Sequence, residues 1–348
     1  MNSEYEIVKY TPELRSQVLE LQTHLWNPDV AVNAAYLEWK YERNLHPQAS
    51  YIPLALHRGR VVGMWGLYSV QWQSGYPCHT WLGLGSGDMV IAPAHRGQGL
   101  FTQMVHAALR DLADQHYPYM FSLSASPVTH PMGVAIGWRS LGPLPMMQRK
   151  GNRLSPASPF RLLDRYRVRR RQAQVSLEYR PRPQAMAEVV ECIGHDGRIR
   201  QVRDQRYFAW RFHNPLSSYR FLFWQDTRVE GYLVLQAKRY KDQAQVNIVD
   251  WEATNAQVRA DLLRAAVRWG NCAALSIWAA TFSQEVQTLL QESGFRPVAE
   301  APGITHSRPT LLVRAVRDEI PESEWHLAGR RVLHLADWDL RMLDSDSY

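Results

Sequence analysis

The sequence has few cysteines and no long apolar run. Only three cysteines occur, Cys78, Cys192 and Cys272, and none of them forms a Cys-x-x-Cys pair with another. This spacing argues against a disulfide framework and a zinc ribbon, and it favours a reducing compartment. No stretch approaches the roughly 20 apolar residues that a membrane-spanning helix needs, and the first ten residues lack the pattern of a secretory signal. We therefore expect a cytoplasmic protein without a membrane segment or a metal centre.

The composition is that of a globular chain with an excess of positive charge. Its 348 residues, 45% hydrophobic and 21% charged, are enough for two domains. The net charge of +7 at pH 7 is compatible with an anionic ligand, which includes a phosphorylated cofactor, a nucleotide and nucleic acid. Charge alone does not choose among these ligands.

Two segments of the chain repeat the same pattern. Residues 36–44 read YLEWKYERN, and residues 207–215 read YFAWRFHNP. Downstream of each segment, two apolar runs flank a short polar turn. These runs predict hairpins of half-buried strands with four-residue loops at residues 57–60 and 225–228. Because the order strand, helix, hairpin, helix, strand occurs twice, we infer that the fold is duplicated.

The repeats suggest how the chain divides. We place the first domain at residues 1–150, a linker rich in proline and arginine at 151–174, and the second domain at 175–348. Residues 161–171 are rich in arginine and are interpreted as a solvated connecting helix, with an anionic contact as the alternative. The acidic tail at residues 336–346 is interpreted as solvated or docking, with a contact to an acceptor amine as the alternative.

An apolar strand, a glycine-rich turn and an amphipathic helix follow one another after residue 88. Apolar side chains recur at helical spacing from Leu100 to residue 112, so the helix is expected to begin near Leu100. Gly97 and Gly99 allow a phosphate to come close to the backbone, and Arg96 adds charge to the helix dipole. The pattern predicts a pyrophosphate-binding turn; the alternative is a tight turn whose glycines only meet a backbone requirement. The third glycine of a dinucleotide site and the lysine of a Walker turn are missing from the sequence.

The turn Pro93-x-x-Arg96-Gly97-Gln98-Gly99-Leu100-Phe101 resembles the acyl-CoA-binding turn of the GCN5-related N-acetyltransferases (GNAT), whose pattern is Arg/Gln-x-x-Gly-x-Gly/Ala. Phe101 departs from the last position of that pattern. The resemblance implies an α/β fold with a mixed sheet whose central strands splay apart. It also implies acetyl-CoA or another acyl-CoA as co-substrate, with the pyrophosphate on the amides of residues 97–102 and the pantetheine along residues 88–92. The cofactor-binding residues that it implies are Met89, Val90, Ile91, Arg96, Gly97, Gln98, Gly99, Leu100, Phe101 and Thr102.

The second repeat resembles the same fold without this turn. Between an apolar strand and the helix near Leu262, residues 252–256 read EATNA, so we expect no CoA site there. One complete and one degenerate copy resemble the two-domain acyltransferases of surface-polysaccharide biosynthesis, some of which acylate nucleotide-linked amino sugars. The resemblance therefore implies two tandem GNAT-like domains that transfer an acyl group to the primary amine of a small molecule.

Acyl transfer to an amine requires removal of a proton, because alkyl amines are mostly protonated at pH 7. Asp88 is expected to open the strand and face the cleft as the proton acceptor; the alternative is a surface aspartate that closes a glycine-rich turn at 83–87. His130, after the next strand, is a second candidate base or acid. The resemblance places the oxyanion donor on a backbone amide near Val90 or Ile91. No tyrosine lies between Phe121 and residue 142, so no acid is assigned there.

Two other functions remain open. Tandem copies of this fold also occur in peptidyltransferases that use aminoacyl-tRNA, which the arginine-rich linker favours and the intact CoA turn opposes. A duplicated acyl-CoA-binding scaffold without catalysis is the other alternative. The partners that we expect are an acyl-CoA and a small-molecule amine, without nucleic acid; the sequence predicts no oligomeric state.

Overall fold

The computed structural model describes residues 4–115, 117–124, 129–151, 174–240, 243–269, 274–298, 309–317 and 320–348. The arginine-rich stretch 161–171 lies outside the described residues, so its interpretation as a connecting helix stays a prediction. Within the described part of the chain, no helix has the length and apolar character required to cross a bilayer.

The order of elements follows the predicted duplication. The first repeat holds β1 (Tyr5–Lys9), α1 (Arg15–Gln22), α2 (Val30–Leu37), β2 (Pro53–His57), β3 (Arg60–Ser74), β4 (His79–Ile91), α3 (Leu100–Leu112), β5 (Tyr119–Ser122), α4 (Thr129–Ala135), β6 (Arg139–Pro143) and β7 (Met146–Arg149). The second holds β8 (Val175–Glu178), α5 (Pro183–Ile193), β9 (Arg200–Gln201), α6 (Gln205–Arg211), β10 (Ser218–Gln225), β11 (Val229–Tyr240), β12 (Gln243–Ala253), α7 (Ala256–Trp269), β13 (Ala274–Trp278), α8 (Gln284–Glu292), β14 (Arg296–Pro297) and β15 (Thr310–Ala315). A small hairpin, β16 (His326–Leu327) and β17 (Arg330–Arg331), precedes the tail.

The hairpin loops are shorter than predicted, so the prediction of four-residue loops was wrong. The first hairpin turns through Arg58 and Gly59, whose φ angles are 49° and 76°. Two successive positive φ values match the twist of the flanking strands, and the strands can therefore pair up to the turn. The second hairpin turns through residues 226–228.

The strand that carries Asp88 begins earlier than predicted. β4 starts at His79, so Asp88 lies near its end and the glycines at 83–87 belong to the strand rather than to a turn. Aromatic rings occupy the space beside these glycines: a Cβ on Gly85 would lie 2.4 Å from the Tyr68 ring, and one on Gly83 would lie 2.7 Å from the Phe121 ring. Glycine at these positions leaves room for aromatic rings from the neighbouring strands. A glycine-rich composition alone does not distinguish this use from a turn.

The two sheets exchange one strand each. The first sheet has the order β1-β2-β3-β4-β5-β15-β6, with β9 beside β3, and the second has the order β14-β7-β13-β12-β11-β10-β8. β15 of the second repeat thus lies between β5 and β6, whereas β7 of the first repeat lies between β13 and β14. Each sheet therefore contains strands from both sides of the predicted linker at residues 151–174. The boundary between the repeats stays a prediction.

The repeated motif lies at the contact between the copies. The Trp39 and Trp210 rings stack with centroids 5.1 Å apart. Trp39 Nε1 donates to the Trp210 carbonyl at 2.9 Å, and Trp210 Nε1 donates to the Trp39 carbonyl at 2.8 Å. The repeats therefore meet through equivalent residues, as in an isologous interface.

The tail docks across both copies. Trp338 is fully buried, and the Thr281 hydroxyl donates to the Leu340 carbonyl at 3.0 Å. Arg341 reaches Glu252 at the end of β12, with Nη2–Oε1 at 2.9 Å. Asp346, farther along, contacts the first copy. The acidic tail is thus docked on both copies, with Asp339, Asp344 and Asp346 buried. Its contact to an acceptor amine stays a prediction.

Candidate active site

A cleft opens in the first sheet where β4 extends beyond the end of the neighbouring strand β5. β4 and β5 pair in parallel at Leu84–Met120 and Gly85–Phe121. β5 ends at Ser122 while β4 continues to Ile91, so the last residues of β4 border a cavity of about 210 Å³. The walls of the cavity include Trp26, Trp65, Phe101, Trp138, Asp88 and Asp346. This arrangement matches the splayed central strands that the resemblance stated above implies.

A β-bulge brings Asp88 to the cavity. Gly66 pairs with Gly87 and Met64 with Val90, so Trp65 of β3 lies opposite two residues of β4. Asp88 takes a φ of 51° at this point, which a non-glycine residue rarely adopts. Bulges redirect side chains and end regular pairing, and both effects are present here.

The Asp88 carboxylate lies fully inside the protein with its oxygens occupied. Lys40 Nζ donates to Oδ1 at 2.9 Å, Tyr41 OH donates to Oδ2 at 2.7 Å, and Tyr36 OH donates weakly to Oδ1 at 3.4 Å. Burial, opposed by the Lys40 charge, raises the pKa of Asp88. Its role as the direct proton acceptor stays a prediction: Asp88 lines the cavity, and its hydrogen bonds fix its position.

Lys40 joins Asp88 to the tail. The Lys40 ammonium has no solvent exposure, and it also donates to Asp346 Oδ2 at 2.6 Å. It lies 4.8 Å from the centroid of the Tyr68 ring. Burial lowers the pKa of Lys40, but the carboxylates of Asp346 and Asp88 outweigh burial, so its pKa is raised and the ammonium stays charged.

The glycine-rich turn has the features of an anion site. Gly97 and Gly99 have φ angles of 77° and 69°, and a Cβ on either would meet nothing within 4 Å. No side chain caps the first turn of α3, whose N–H groups therefore remain available to a ligand. Arg96 lies at the surface with Nε donating to the Ile91 carbonyl at 3.1 Å. The residues present thus fit the pyrophosphate of an acyl-CoA.

The other predicted cofactor residues divide between surface and core. Gln98 is exposed and its carbonyl accepts from Gln103 Nε2 at 3.3 Å, while Thr102 is half-buried in the first turn of α3. Met89 lines the cavity and Ile91 is half-buried. The side chains of Val90 and Leu100 are buried in apolar clusters, so their contribution to a ligand would come from the backbone.

Phe101, which departs from the GNAT pattern, forms part of the cavity wall. Its ring meets Trp65 edge to face, with centroids 5.9 Å apart. The turn keeps its backbone geometry with phenylalanine at this position, because Phe101 is the second residue of α3.

His130 lies on α4 beside the cavity. Thr129 and Gly133 of the same helix line the cavity, whereas His130 Nε2 lies 3.2 Å from the Ser140 hydroxyl on β6. Its role as base or acid stays a prediction.

Sequence reasoning did not identify Lys40, Trp26 or Trp138 as site residues, and it covered Asp346 only as part of the tail whose alternative interpretation was a contact to an acceptor amine. Lys40 follows Trp39 in the repeated motif, so the repeat marked its neighbourhood without indicating a charge cluster. Asp346 is one of several acidic residues in the tail, and only the docked path of the tail distinguishes it from the others.

The second copy differs at the position that corresponds to the turn. Asn255 caps α7, its Oδ1 accepting from the Val258 N–H at 2.9 Å, and so takes up a donor that α3 leaves available. Asp250, near the end of β12, pairs with Arg203 at 2.9 Å and accepts from Tyr232 OH at 2.8 Å. The tail packs against this copy through Arg341. The expectation that the second copy binds no CoA stays a prediction. Among the described residues, no group of His, Cys, Asp or Glu side chains could hold a metal ion.

Comparisons with known proteins bear on this architecture. Residues 16–131 match the model of the acetyltransferase (GNAT) family. No curated protein matches the chain. The solved structure of a GCN5-related N-acetyltransferase from Anabaena variabilis ATCC 29413 has a TM-score of 0.60 at 14% identity, over 90% of this chain and 73% of that chain. A probable N-acyltransferase from Enterococcus faecalis V583 has a TM-score of 0.59 at 12% identity, with the same coverage.

A tandem GNAT protein from the clavulanic acid biosynthesis pathway has a TM-score of 0.50 at 14% identity, over 91% of this chain and 100% of that chain. At these identities the likeness concerns the fold. The matched family segment contains β4, the glycine-rich turn and α3, and residues of β4 and α3 line the cavity. The chain therefore has the GNAT fold in tandem, and its residues 16–131 match the GNAT acetyltransferase family model.

Proposed function

We propose that the protein transfers an acyl group from an acyl-CoA, most simply acetyl-CoA, to the primary amine of a small molecule. The observation that carries the proposal is the glycine-rich turn at an uncapped helix start, next to a cavity at the end of β4, in the copy that matches the GNAT family. The second copy, with a capped helix and a docked tail, would shape and cover the acceptor side.

In this proposal the first copy holds the acyl-CoA through its backbone. The amides of residues 97–102 and the exposed Arg96 would bind the pyrophosphate, because helix N-termini and positive charge both favour anions. The pantetheine would follow the end of β4. The thioester would then lie at the bulge, with a backbone amide near Val90 or Ile91 as oxyanion donor.

Direct attack by the amine in a ternary complex suits the cavity. Its volume of about 210 Å³ suits a small acceptor group. The cluster of Asp88, Lys40 and Asp346 supplies carboxylates beside it. The indole walls would pack against the C–H face of a sugar ring, which keeps a nucleotide-linked amino sugar as our candidate acceptor.

The first test is thermal stability with and without acetyl-CoA. A ligand at 100 times its dissociation constant adds about 2.7 kcal/mol to the free energy of unfolding, so the melting temperature should rise visibly. The double variant Arg96→Glu, Gly99→Trp should lose this rise. The matched control is Arg58→Glu, Gly59→Trp, which alters an exposed Arg-Gly pair with the same positive glycine φ outside the turn.

The outcomes separate the alternatives. A rise in the wild type and the control, lost in the turn variant, supports the proposal and justifies assays of thiol release with amines. No rise with acetyl-CoA, longer acyl-CoA or free CoA would contradict it. A steep salt-dependent binding of tRNA would then favour the peptidyltransferase alternative.

A further inference from the structure

We propose that Asp346, delivered by the tail, is the carboxylate that binds the acceptor's ammonium group and takes its proton. The inference deepens the proposed function and rests on it for the acyl transfer step. It also names the acceptor class: an alkylammonium next to an apolar body that carries an oxygen acceptor.

The first argument is the hydrogen-bonding capacity of the two carboxylates. Asp88 accepts from Lys40, Tyr41 and Tyr36, so both of its oxygens are occupied. Among the described residues Asp346 accepts one hydrogen bond, from Lys40 to Oδ2. Asp346 therefore keeps an oxygen for a ligand, while its side chain, 5% exposed, lines the cavity.

The second argument is the charge of the cluster. Two carboxylates share the single ammonium of Lys40, which leaves one negative charge beside the cavity. Arg211 lines a second pocket together with Lys40 and Asp346, but its guanidinium donates to backbone carbonyls of the tail rather than to Asp346. A buried carboxylate that shares its ammonium partner with a second carboxylate favours a cationic ligand.

The third argument is the chemistry of the cavity walls. Trp26, Trp65 and Trp138 present indole rings, which attract a cation and an apolar body alike. The buried Nε1 atoms of Trp26 and Trp138 have no hydrogen-bond partner among the described residues, and Trp138 is 5% exposed. An indole N–H can only donate, so a hydroxyl or carbonyl oxygen on the acceptor would satisfy it.

The proton balance is simple. The ammonium gives one proton to Asp346, which later releases it to solvent. The neutral amine forms the C–N bond to the thioester carbon as the C–S bond breaks. The second nitrogen proton neutralises the departing thiolate, so the products are an amide, free CoA and one released proton.

The binding test does not require turnover. Isothermal titration calorimetry on the full chain without acyl-CoA compares 2-phenylethylamine with 2-phenylethanol, which replaces the ammonium by a hydroxyl. We expect the wild type to bind the ammonium at least about tenfold more tightly, as for a charge-assisted hydrogen bond. Asp346→Asn should abolish most of this preference. Asp337→Asn, on the same tail but bonded to Arg331, should retain it.

The remaining outcomes are distinct. Equal affinities of the wild type for amine and alcohol, or a preference that survives Asp346→Asn, would overturn the inference. If Asp346→Asn loses the preference for the amine while acetyl-CoA still raises the melting temperature, both proposals are supported. If the wild type prefers the amine to the alcohol but its melting temperature does not rise with acetyl-CoA, the ammonium site is supported and the proposed acyl transfer is contradicted. In thiol-release assays, Asp346→Asn should lower kcat/KM by about a hundredfold.

Discussion

Gly87 occupies the position where β4 passes against the tail. A Cβ at this position would lie 2.5 Å from Asp346 Oδ2 and 2.7 Å from Lys40 Nζ. Both distances are shorter than the contacts that Cβ atoms make in real structures. The Asp346 and Lys40 atoms belong to a buried ion pair and cannot move without separating it. We expect Gly87→Ala to displace the Asp346 carboxylate, lower the melting temperature and reduce amine acetylation. Binding of acetyl-CoA should persist, because the turn at residues 97–99 is not involved.

The matched control is Gly133→Ala on α4. A Cβ there would make ordinary contacts of 3.6 Å with Leu312 and Trp138, and alanine favours a helix over glycine by about 1 kcal/mol. Its stability should therefore be unchanged or higher, as measured by chemical unfolding. If the stability of Gly87→Ala were also unchanged or higher, the packing of the tail against β4 would not require glycine at position 87.

The sequence predicted the parts of the site that depend on local conformation. Gly97 and Gly99 lie in the turn between β4 and α3, and α3 begins at Leu100, as the sequence predicted. The bulge at Asp88 was not predictable, because it depends on how Trp65 is opposed by β4. Lys40 and Asp346 meet across 306 residues, and no spacing rule relates such distant residues.

At the scale of elements, the periodic segments were predicted best. The apolar stripe of α3 packs as expected, with Leu100, Met104 and Leu112 buried. The hairpins were also predicted, although their loops were set too long. The glycine-rich end of β4 was misread because its glycines accommodate aromatic rings from other elements, and single-sequence composition does not distinguish this use from a turn.

The last turn of the tail, Met342–Asp344, contains an unusual carboxyl group. Burial raises the pKa of Asp344 from 3.8 to about 7. A raised folded-state pKa contributes stability below the unfolded value of 3.8, and this contribution is lost as the pH rises to about 7. The loss proceeds at about 1.4 kcal/mol per pH unit.

Asp344→Asn should remove this dependence. The amide oxygen can still accept from the Arg341 N–H, which lies 2.6 Å from Asp344 Oδ2, but it cannot ionise. Urea unfolding between pH 5 and 8 should show the variant gaining stability relative to the wild type as the pH rises. Asp337→Asn is the control, since the pKa of Asp337 is lowered and its carboxyl stays ionised over this range. A pH-independent difference for Asp344→Asn would show that Asp344 titrates normally.

At the scale of the whole molecule, the strand exchange joins the repeats more firmly than a linker would. β6 pairs with β15, so the edge of the first sheet depends on residues of the second repeat. β7 completes the second sheet in return by pairing with β13 and β14. A duplicated sequence predicts two similar halves. It does not reveal which sheet β7 and β15 join, because the two strands occupy equivalent positions in the two repeats.

The exchange predicts that neither repeat is an independent folding unit. Residues 1–150 alone would lack β15, whose buried Leu311, Leu312 and Val313 belong to the first sheet and its cores. We expect this fragment to show no cooperative unfolding by circular dichroism, and co-expression with residues 175–348 to restore it. The intact chain should unfold in one transition, with coincident circular dichroism and tryptophan fluorescence curves. Two separate transitions, or cooperative unfolding of residues 1–150 alone, would mean that each sheet is stable without the strand it receives.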